Sequence, residues 1–140
     1  MNRIWTALVT LPLSLAGCGG DSPTGTQNPP PPAMTQNDIN IVVGASQLTT
    51  AAFNPNPKVV SLGSGSGVTV RWVNKDISNG GDYTTGTATI HNIASDDGAF
   101  PASASLGGNA TYSATLTAAG DYSYHCTIHP TMVGTITVGQ

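Results

Sequence analysis

The chain has few charges and only two cysteines. Of its 140 residues 8% are charged, with 4 Lys+Arg against 7 Asp+Glu, and every acid is an aspartate. A chain without a basic patch is a poor match to a nucleic-acid-binding protein, and no run of acids marks a strongly charged docking surface. Two cysteines cannot form a disulfide framework. No segment shows the sustained i, i+3, i+4, i+7 pattern of an amphipathic helix, which argues against a helical fold.

The N-terminus has the features of an export signal. A positive start is followed by the apolar stretch Ile4 to Leu15, about 12 residues long and too short to span a ~30 Å bilayer as a helix. Leu15-Ala16-Gly17-Cys18 resembles the lipobox of bacterial lipoproteins; the alternative is an ordinary secretory signal that ends near a cysteine. We predict a signal peptide at 1–17, lipidation of Cys18, and a membrane-anchored protein that faces the periplasm or the cell exterior.

Two further regions follow the signal. Residues 18–37 contain the run Pro29-Pro30-Pro31-Pro32 among glycines and polar residues, and they are expected to form an extended tether from the membrane. Residues 38–140 alternate short apolar runs with turn residues, which predicts an all-β sandwich of two sheets. The predicted strands are Ile39–Val43, Val59–Leu62, Val68–Val73, Thr89–Ile93, Thr111–Thr117, Asp121–Cys126 and Thr135–Val138.

The most informative motif of the domain is a C-x-x-H-x-x-M array formed by Cys126, His129 and Met132. A thiolate, an imidazole and a thioether are the donors of a copper electron-transfer site, in which Met is a long, weak axial ligand. If Cys18 carries lipid, Cys126 has no disulfide partner, and metal binding would both protect and use its thiol. Met132 as a core-filling residue is the alternative interpretation.

The site needs a second imidazole, which His91 or His125 could supply. Side chains alternate along a strand, so Tyr124 and Cys126 face the interior while His125 faces the other way as a surface residue. His91 therefore becomes the expected ligand, although a single histidine near a strand end is more often structural. Zinc could bind the same donors, but copper binds them more tightly.

With these residues in place, the chain resembles the small type 1 blue copper proteins, or cupredoxins, of the plastocyanin, pseudoazurin and amicyanin group. The matching segments are Val68–Asn74, His91–Ile93 and Gly120–Met132, and the two-residue gap between His129 and Met132 is closest to amicyanin. The resemblance implies a Greek-key sandwich of about seven to eight strands. It also implies one copper with His91, Cys126 and His129 as equatorial ligands and Met132 as the axial ligand. By the same resemblance, Asn92 helps to lock the ligand loops together.

Two features depart from these relatives. The segment from Lys75 to Thr87 is longer than their corresponding loop and is interpreted as a solvated surface loop, or less simply as a contact for a particular partner. His125 stands where plastocyanins often show an exposed aromatic residue, and the acidic cluster that accompanies that residue is missing. Plastocyanin-type partner recognition is therefore not expected.

The resemblance implies a copper protein that shuttles single electrons between redox partners outside the cytoplasm, with His129 exposed in an apolar collar that includes Ile128, Pro130 and Phe100. The alternative is an extracytoplasmic copper carrier or buffer without an electron-transfer role. An enzyme is not expected, because no histidine remains for a second metal. We expect a monomer that contacts the membrane through its lipid and binds no nucleic acid.

Overall fold

A computed structural model describes residue 30 and residues 32–77 and 86–140. The signal peptide predicted at 1–17, the predicted lipidation site Cys18, most of the predicted tether and residues 78–85 of the long loop lie outside the described residues. No helix in the described part of the chain is both long enough and apolar enough to cross a membrane.

Within these ranges eight strands form two four-stranded sheets, with the orders β2-β1-β4-β6 and β3-β8-β7-β5. The pairs β1/β4 and β3/β8 are parallel, and the other pairs are antiparallel. The predicted all-β sandwich is confirmed. The strands are β1 Asp38–Ile41, β2 Phe53–Asn54, β3 Lys58–Ser61, β4 Val68–Asn74, β5 Ala94–Ser95, β6 Thr111–Leu116, β7 Gly120–His125 and β8 Val133–Gly139, and 3₁₀ turns occur at Ala45–Gln47 and Thr50–Ala52.

Alternating burial along the strands builds the core between the sheets. Trp72 on β4 is fully buried, and its ring centroid lies 5.2 Å from that of Tyr124 on β7 in an edge-on contact across the two sheets. Phe53 packs edge-on against Tyr124 at 4.9 Å, and Phe100 and Tyr112 each lie 5.5 Å from Trp72. An aromatic side chain buries on the order of 150–250 Å², worth about 4–6 kcal/mol at ~25 cal/mol per Å². This aromatic cluster is therefore a major source of the domain's stability.

Tyr124 also requires a glycine on the neighbouring strand. Tyr124 pairs with Gly134 across β7 and β8, and a Cβ at position 134 would lie 2.3 Å from the Cζ atom of the tyrosine ring. The ring thus occupies the space that any other side chain at 134 would need. Gly134 serves the packing of Tyr124 as well as the entry of the chain into β8.

The strand predicted at Thr89–Ile93 is wrong, and two short strands, β2 and β5, were not predicted. His91 forms only an isolated bridge with Leu106, and the Thr89 carbonyl accepts a 2.8 Å hydrogen bond from the Asn74 side chain. Side chains here bond backbone groups that a regular strand would pair with its neighbour. The two missed strands have two residues each, too few for an alternating pattern to show.

The last residues of the predicted tether contact the domain. Arg71 on β4 forms an ion pair with Asp38 at 2.6 Å and donates a hydrogen bond to the Ala33 carbonyl. The buried Lys58 donates to the Gln36 carbonyl at 2.6 Å. Two of the few cations of the chain thus hold the segment that leads into β1.

Candidate metal centre

Two separate segments carry the predicted donor residues to one end of the sandwich. His91 lies between β4 and β5, and Cys126 is the first residue after β7. The loop from Cys126 to β8 folds back on itself, because the Met132 N–H donates to the His129 carbonyl at 2.9 Å and the Cys126 N–H donates to the Met132 carbonyl at 3.1 Å. This tight turn holds Cys126, His129 and Met132 in one compact loop.

The donor atoms of His91, Cys126 and His129 all lie within 4.8 Å of one another. The Cys126 Sγ atom is 3.9 Å from His91 Nδ1 and 3.8 Å from His129 Nδ1. His91, Cys126 and Met132 are fully buried, whereas His129 is half-buried. The structure thus brings together three of the four predicted ligands, and it places the fourth, Met132, inside the core beside them.

These separations fit a metal ion at the centre of the three donors. A divalent ion bonded to nitrogen at about 2.0 Å and to sulfur at about 2.3 Å, with an angle of about 120° between them, separates the two donor atoms by about 3.7 Å. The observed 3.8 and 3.9 Å match that spacing. Two imidazoles and one thiolate, with a buried methionine on the same loop, make a donor set suited to copper.

The surroundings of Cys126 favour its ionised form. Burial by itself would raise the pKa of the thiol, but hydrogen bonds from His91, from the Asn92 backbone and from His129 outweigh it and lower the pKa to about 6. Burial would likewise lower the pKa of His91, and its contacts with Cys126 and Asp76 raise it instead. The thiolate, which is the metal-binding form of cysteine, is therefore stabilised in this site.

Asn92 connects the His91 segment to the loop after β7. Its Oδ1 atom accepts the Thr127 N–H at 2.8 Å, and its Nδ2 donates to the Thr127 hydroxyl at 2.7 Å. The Asn92 N–H also points at the Cys126 sulfur at 3.5 Å. Asn92 therefore joins the segment that contains His91 to the loop that contains Cys126 and His129.

Sequence reasoning missed Asp76, which lies two residues after β4 at the start of the long loop. Its side chain is buried, and its Oδ2 atom is 2.9 Å from the Nε2 atom of His91. The sequence predicts a solvated loop from Lys75 to Thr87, but Asp76 and Ile77 are buried, so the loop begins inside the protein. The available signal was an acid two residues after the end of a strand rich in apolar residues.

The other residues singled out from the sequence are His125 and the three members of the predicted apolar collar around His129. His125 points away from the donors, as strand alternation predicts, but its ring is only partly exposed and contacts the Asp96 carboxylate at 2.5 Å. Ile128 and Pro130 are exposed beside His129. Placing Phe100 in the collar was wrong: its side chain is only 5% exposed, because it packs on Trp72 in the core.

Comparison with known proteins agrees with this geometry. The model of a family described as copper binding proteins, plastocyanin/azurin family, matches residues 41–139. The matched region contains His91, Cys126, His129 and Met132. No curated protein matches the chain.

Several solved structures share the fold. A novel purple cupredoxin from Nitrosopumilus maritimus is 27% identical, with a TM-score of 0.56 over 73% of this chain and 98% of that chain. A reduced Cu(I) form of an amicyanin mutant is 25% identical, and the reduced state of another amicyanin mutant is 26% identical. Both amicyanin matches have a TM-score of 0.51 and cover 75% of this chain and 85% of theirs. The similarity extends over nearly the whole β-domain.

Proposed function

The chain belongs to the plastocyanin/azurin family of copper-binding proteins, and from this membership we propose that it carries single electrons between redox partners outside the cytoplasm. Copper is its cofactor. The proposed ligands are His91, Cys126 and His129, with Met132 as the weak axial donor. When bound, copper supplies the one-electron couple, and the protein supplies the donors, their spacing and the surface that a partner contacts.

One observation carries the proposal: two imidazole Nδ1 atoms lie 3.8 and 3.9 Å from a single buried cysteine sulfur. The turn from His129 to Met132 and the Asn92 contacts with Thr127 hold these donors in place. A site whose donors need little movement suits both oxidation states of copper, and this property favours rapid electron exchange over tight storage of one state.

Exposure identifies the side of the site that a partner would contact. His91 and Cys126 are fully buried, whereas His129 is half-buried. Of these three proposed ligands, His129 is therefore the one that reaches the surface. Ile128, which is 47% exposed, and Pro130 lie on either side of it. A small and weakly charged contact of this kind suits brief encounters between redox proteins.

The location and partners belong to the same proposal. The signal at 1–17 and the lipidated Cys18 would anchor the protein to a membrane, facing the periplasm or the cell exterior, where an unpaired Cys126 benefits from metal protection. We assign the protein no enzymatic reaction, because the proposed site uses two of its three histidines and the remaining one, His125, cannot hold a second copper by itself. The expected partners are other redox proteins, with a monomer as the working unit.

The test is reconstitution of the purified full-length chain with Cu(II). We expect strong visible absorption from thiolate-to-copper charge transfer and reversible one-electron cycling in voltammetry. Cys126→Ser should abolish the absorption. His125→Ala is the matched control, since it changes the adjacent residue without touching a proposed ligand, and it should keep both properties.

A colourless, redox-silent copper adduct would contradict electron transfer and favour the carrier or buffer function. Loss of colour in the His125→Ala control would contradict the ligand assignment. Lipidation is tested separately by fatty-acid labelling in cells, which Cys18→Ser should abolish. Incorporation of label in that variant would contradict the anchor.

A further inference from the structure

Asp76 is a loop residue whose carboxylate is buried and hydrogen-bonded through both oxygens. Its side chain is 5% exposed, and its two oxygens have different partners. Oδ1 accepts the Gly44 N–H at 2.7 Å, and Oδ2 lies 2.9 Å from His91 Nε2. The Asp76 N–H donates to the Asn74 side chain at 2.9 Å. The carboxylate therefore has a fixed position relative to the His91 ring.

Asn74 extends this network to the segments on either side of His91. Its amide nitrogen donates to the Thr89 carbonyl at 2.8 Å and to the Leu106 carbonyl at 2.9 Å. Leu106 is the bridge partner of His91. The end of β4 thus holds both the backbone around His91 and the carboxylate that faces its ring.

A carboxylate can only accept hydrogen bonds when ionised, so its partner on the imidazole must be an N–H. With one proton held on Nε2 by Asp76, the Nδ1 atom, which faces the Cys126 sulfur at 3.9 Å, is the nitrogen whose proton a metal ion would replace. We propose that Asp76 is a positioning residue of the metal centre, which fixes the tautomer and ring orientation of His91. This inference rests on the proposed copper site and adds a residue to it.

The contact also has an electronic consequence. A carboxylate that accepts the second N–H of a metal-bound histidine makes the ring a stronger donor. A stronger donor favours Cu(II) over Cu(I), so Asp76 should lower the reduction potential. Among the described residues, the histidine–carboxylate pairs are His91–Asp76 and His125–Asp96, so His129 has no equivalent partner there.

A purely structural role for Asp76 would hold Gly44 and leave the metal properties unchanged. Asp76→Asn separates the two roles, because it keeps the size of the side chain and removes the charge. Asp121→Asn is the matched control: it removes an equal charge from an exposed carboxylate that accepts the Thr137 hydroxyl. Asp76→Glu restores the carboxylate and tests for rescue.

In the full-length protein, Asp76→Asn should weaken Cu(II) binding by about 10- to 100-fold. The potential should rise by about 59 mV for each tenfold loss of Cu(II) affinity relative to Cu(I). Asp121→Asn should change neither property, and Asp76→Glu should recover part of the potential. A correctly folded Asp76→Asn protein with unchanged Cu(II) affinity and potential would overturn the proposal.

Nitrogen-15 NMR of metal-free Cys126→Ser at alkaline pH gives a second readout, because this variant lacks the thiolate that competes for a proton on His91 Nδ1. Its spectrum should show the His91 proton on Nε2. When Asp76→Asn is added, the amide can turn its NH₂ toward that nitrogen, so the proton should shift wholly or partly to Nδ1. A proton on Nδ1 in Cys126→Ser itself would overturn the proposal even if the double variant fails to fold. Because this spectrum needs no copper, its result is independent of electron transfer.

Discussion

The contact between Asn92 and Thr127 makes a quantitative test of how the two ligand segments are joined. Asn92→Ala removes two hydrogen bonds to Thr127, one of 2.8 Å to its N–H and one of 2.7 Å to its hydroxyl, together with a longer 3.5 Å contact between Oδ1 and the Cys126 sulfur. A hydrogen bond of this kind contributes about 0.5–1.5 kcal/mol net. Thr127 is exposed, so water can replace the lost partner, and the sum belongs in the lower part of the range. We expect a loss of about 1–2 kcal/mol.

The assay is urea unfolding of the metal-free, full-length protein, so that copper binding does not contribute to the measured stability. Thr127→Ala removes only the hydroxyl bond and leaves the backbone N–H bound to Asn92, so it should cost about 0.5–1 kcal/mol. The double variant should have nearly the same stability as Asn92→Ala, within a few tenths of a kcal/mol, because Asn92→Ala already removes the partner of the Thr127 hydroxyl. Its double-mutant cycle therefore measures the coupling between the two side chains.

Copper release supplies the functional arm of the same experiment. If the contact holds the His91 segment against the loop of Cys126, Asn92→Ala should speed the transfer of copper to a chelator by about tenfold for each 1.4 kcal/mol lost. Additive effects of the two substitutions, with no coupling, would refute the reasoning. So would an Asn92→Ala protein whose stability and copper release both equal those of the wild type.

Two further predictions concern the sandwich itself. Gly134→Ala places a methyl group 2.3 Å from the Tyr124 ring and should cost about 3 kcal/mol in chemical unfolding, whereas Gly139→Ala on the same strand, 3.8 Å from its nearest neighbour, should cost less than 1 kcal/mol; equal losses would contradict the packing account. Burial by itself would raise the pKa of Asp38, but hydrogen bonds from Arg71 and Thr35 lower it from 3.8 to about 2. The folded-state pKa is below the unfolded value, so this carboxylate contributes about 2 kcal/mol of stability above pH 4, and the contribution is lost as the pH falls to about 2. Asp38→Asn should flatten the stability profile in that window, and an unchanged profile would refute the assignment.

Strand prediction succeeded where the alternation was long and failed where backbone groups bond side chains. Apolar and polar residues alternate over the first five residues of β4 and in β6 and β7, and the pleat turns that alternation into a more buried and a more exposed face. Thr89–Ile93 has a similar composition but lacks a strand ladder. Its carbonyl at Thr89 is bound by the Asn74 side chain, a contact between positions 15 residues apart. A local pattern cannot reveal such a partner.

The chemical identity of the centre follows from the sequence, because Cys126, His129 and Met132 lie within one short loop and strand alternation sets His125 aside. The family membership agrees with that donor set. Sequence spacing predicts these features because residues only three positions apart in one loop stay close to one another in the folded protein. The sequence therefore determined the fold class, the copper chemistry and the loop that contains most of the proposed ligands.

Only the tertiary structure decided how the centre is supported. His91 meets Cys126 from 35 residues away, Asp76 bonds the far side of the His91 ring, and Phe100 lies in the core instead of the collar. These outcomes depend on how two sheets pack and where the chain crosses between them. The physical reason is that hydrogen bonds and burial act through space, so residues distant in sequence become neighbours only when the sandwich closes.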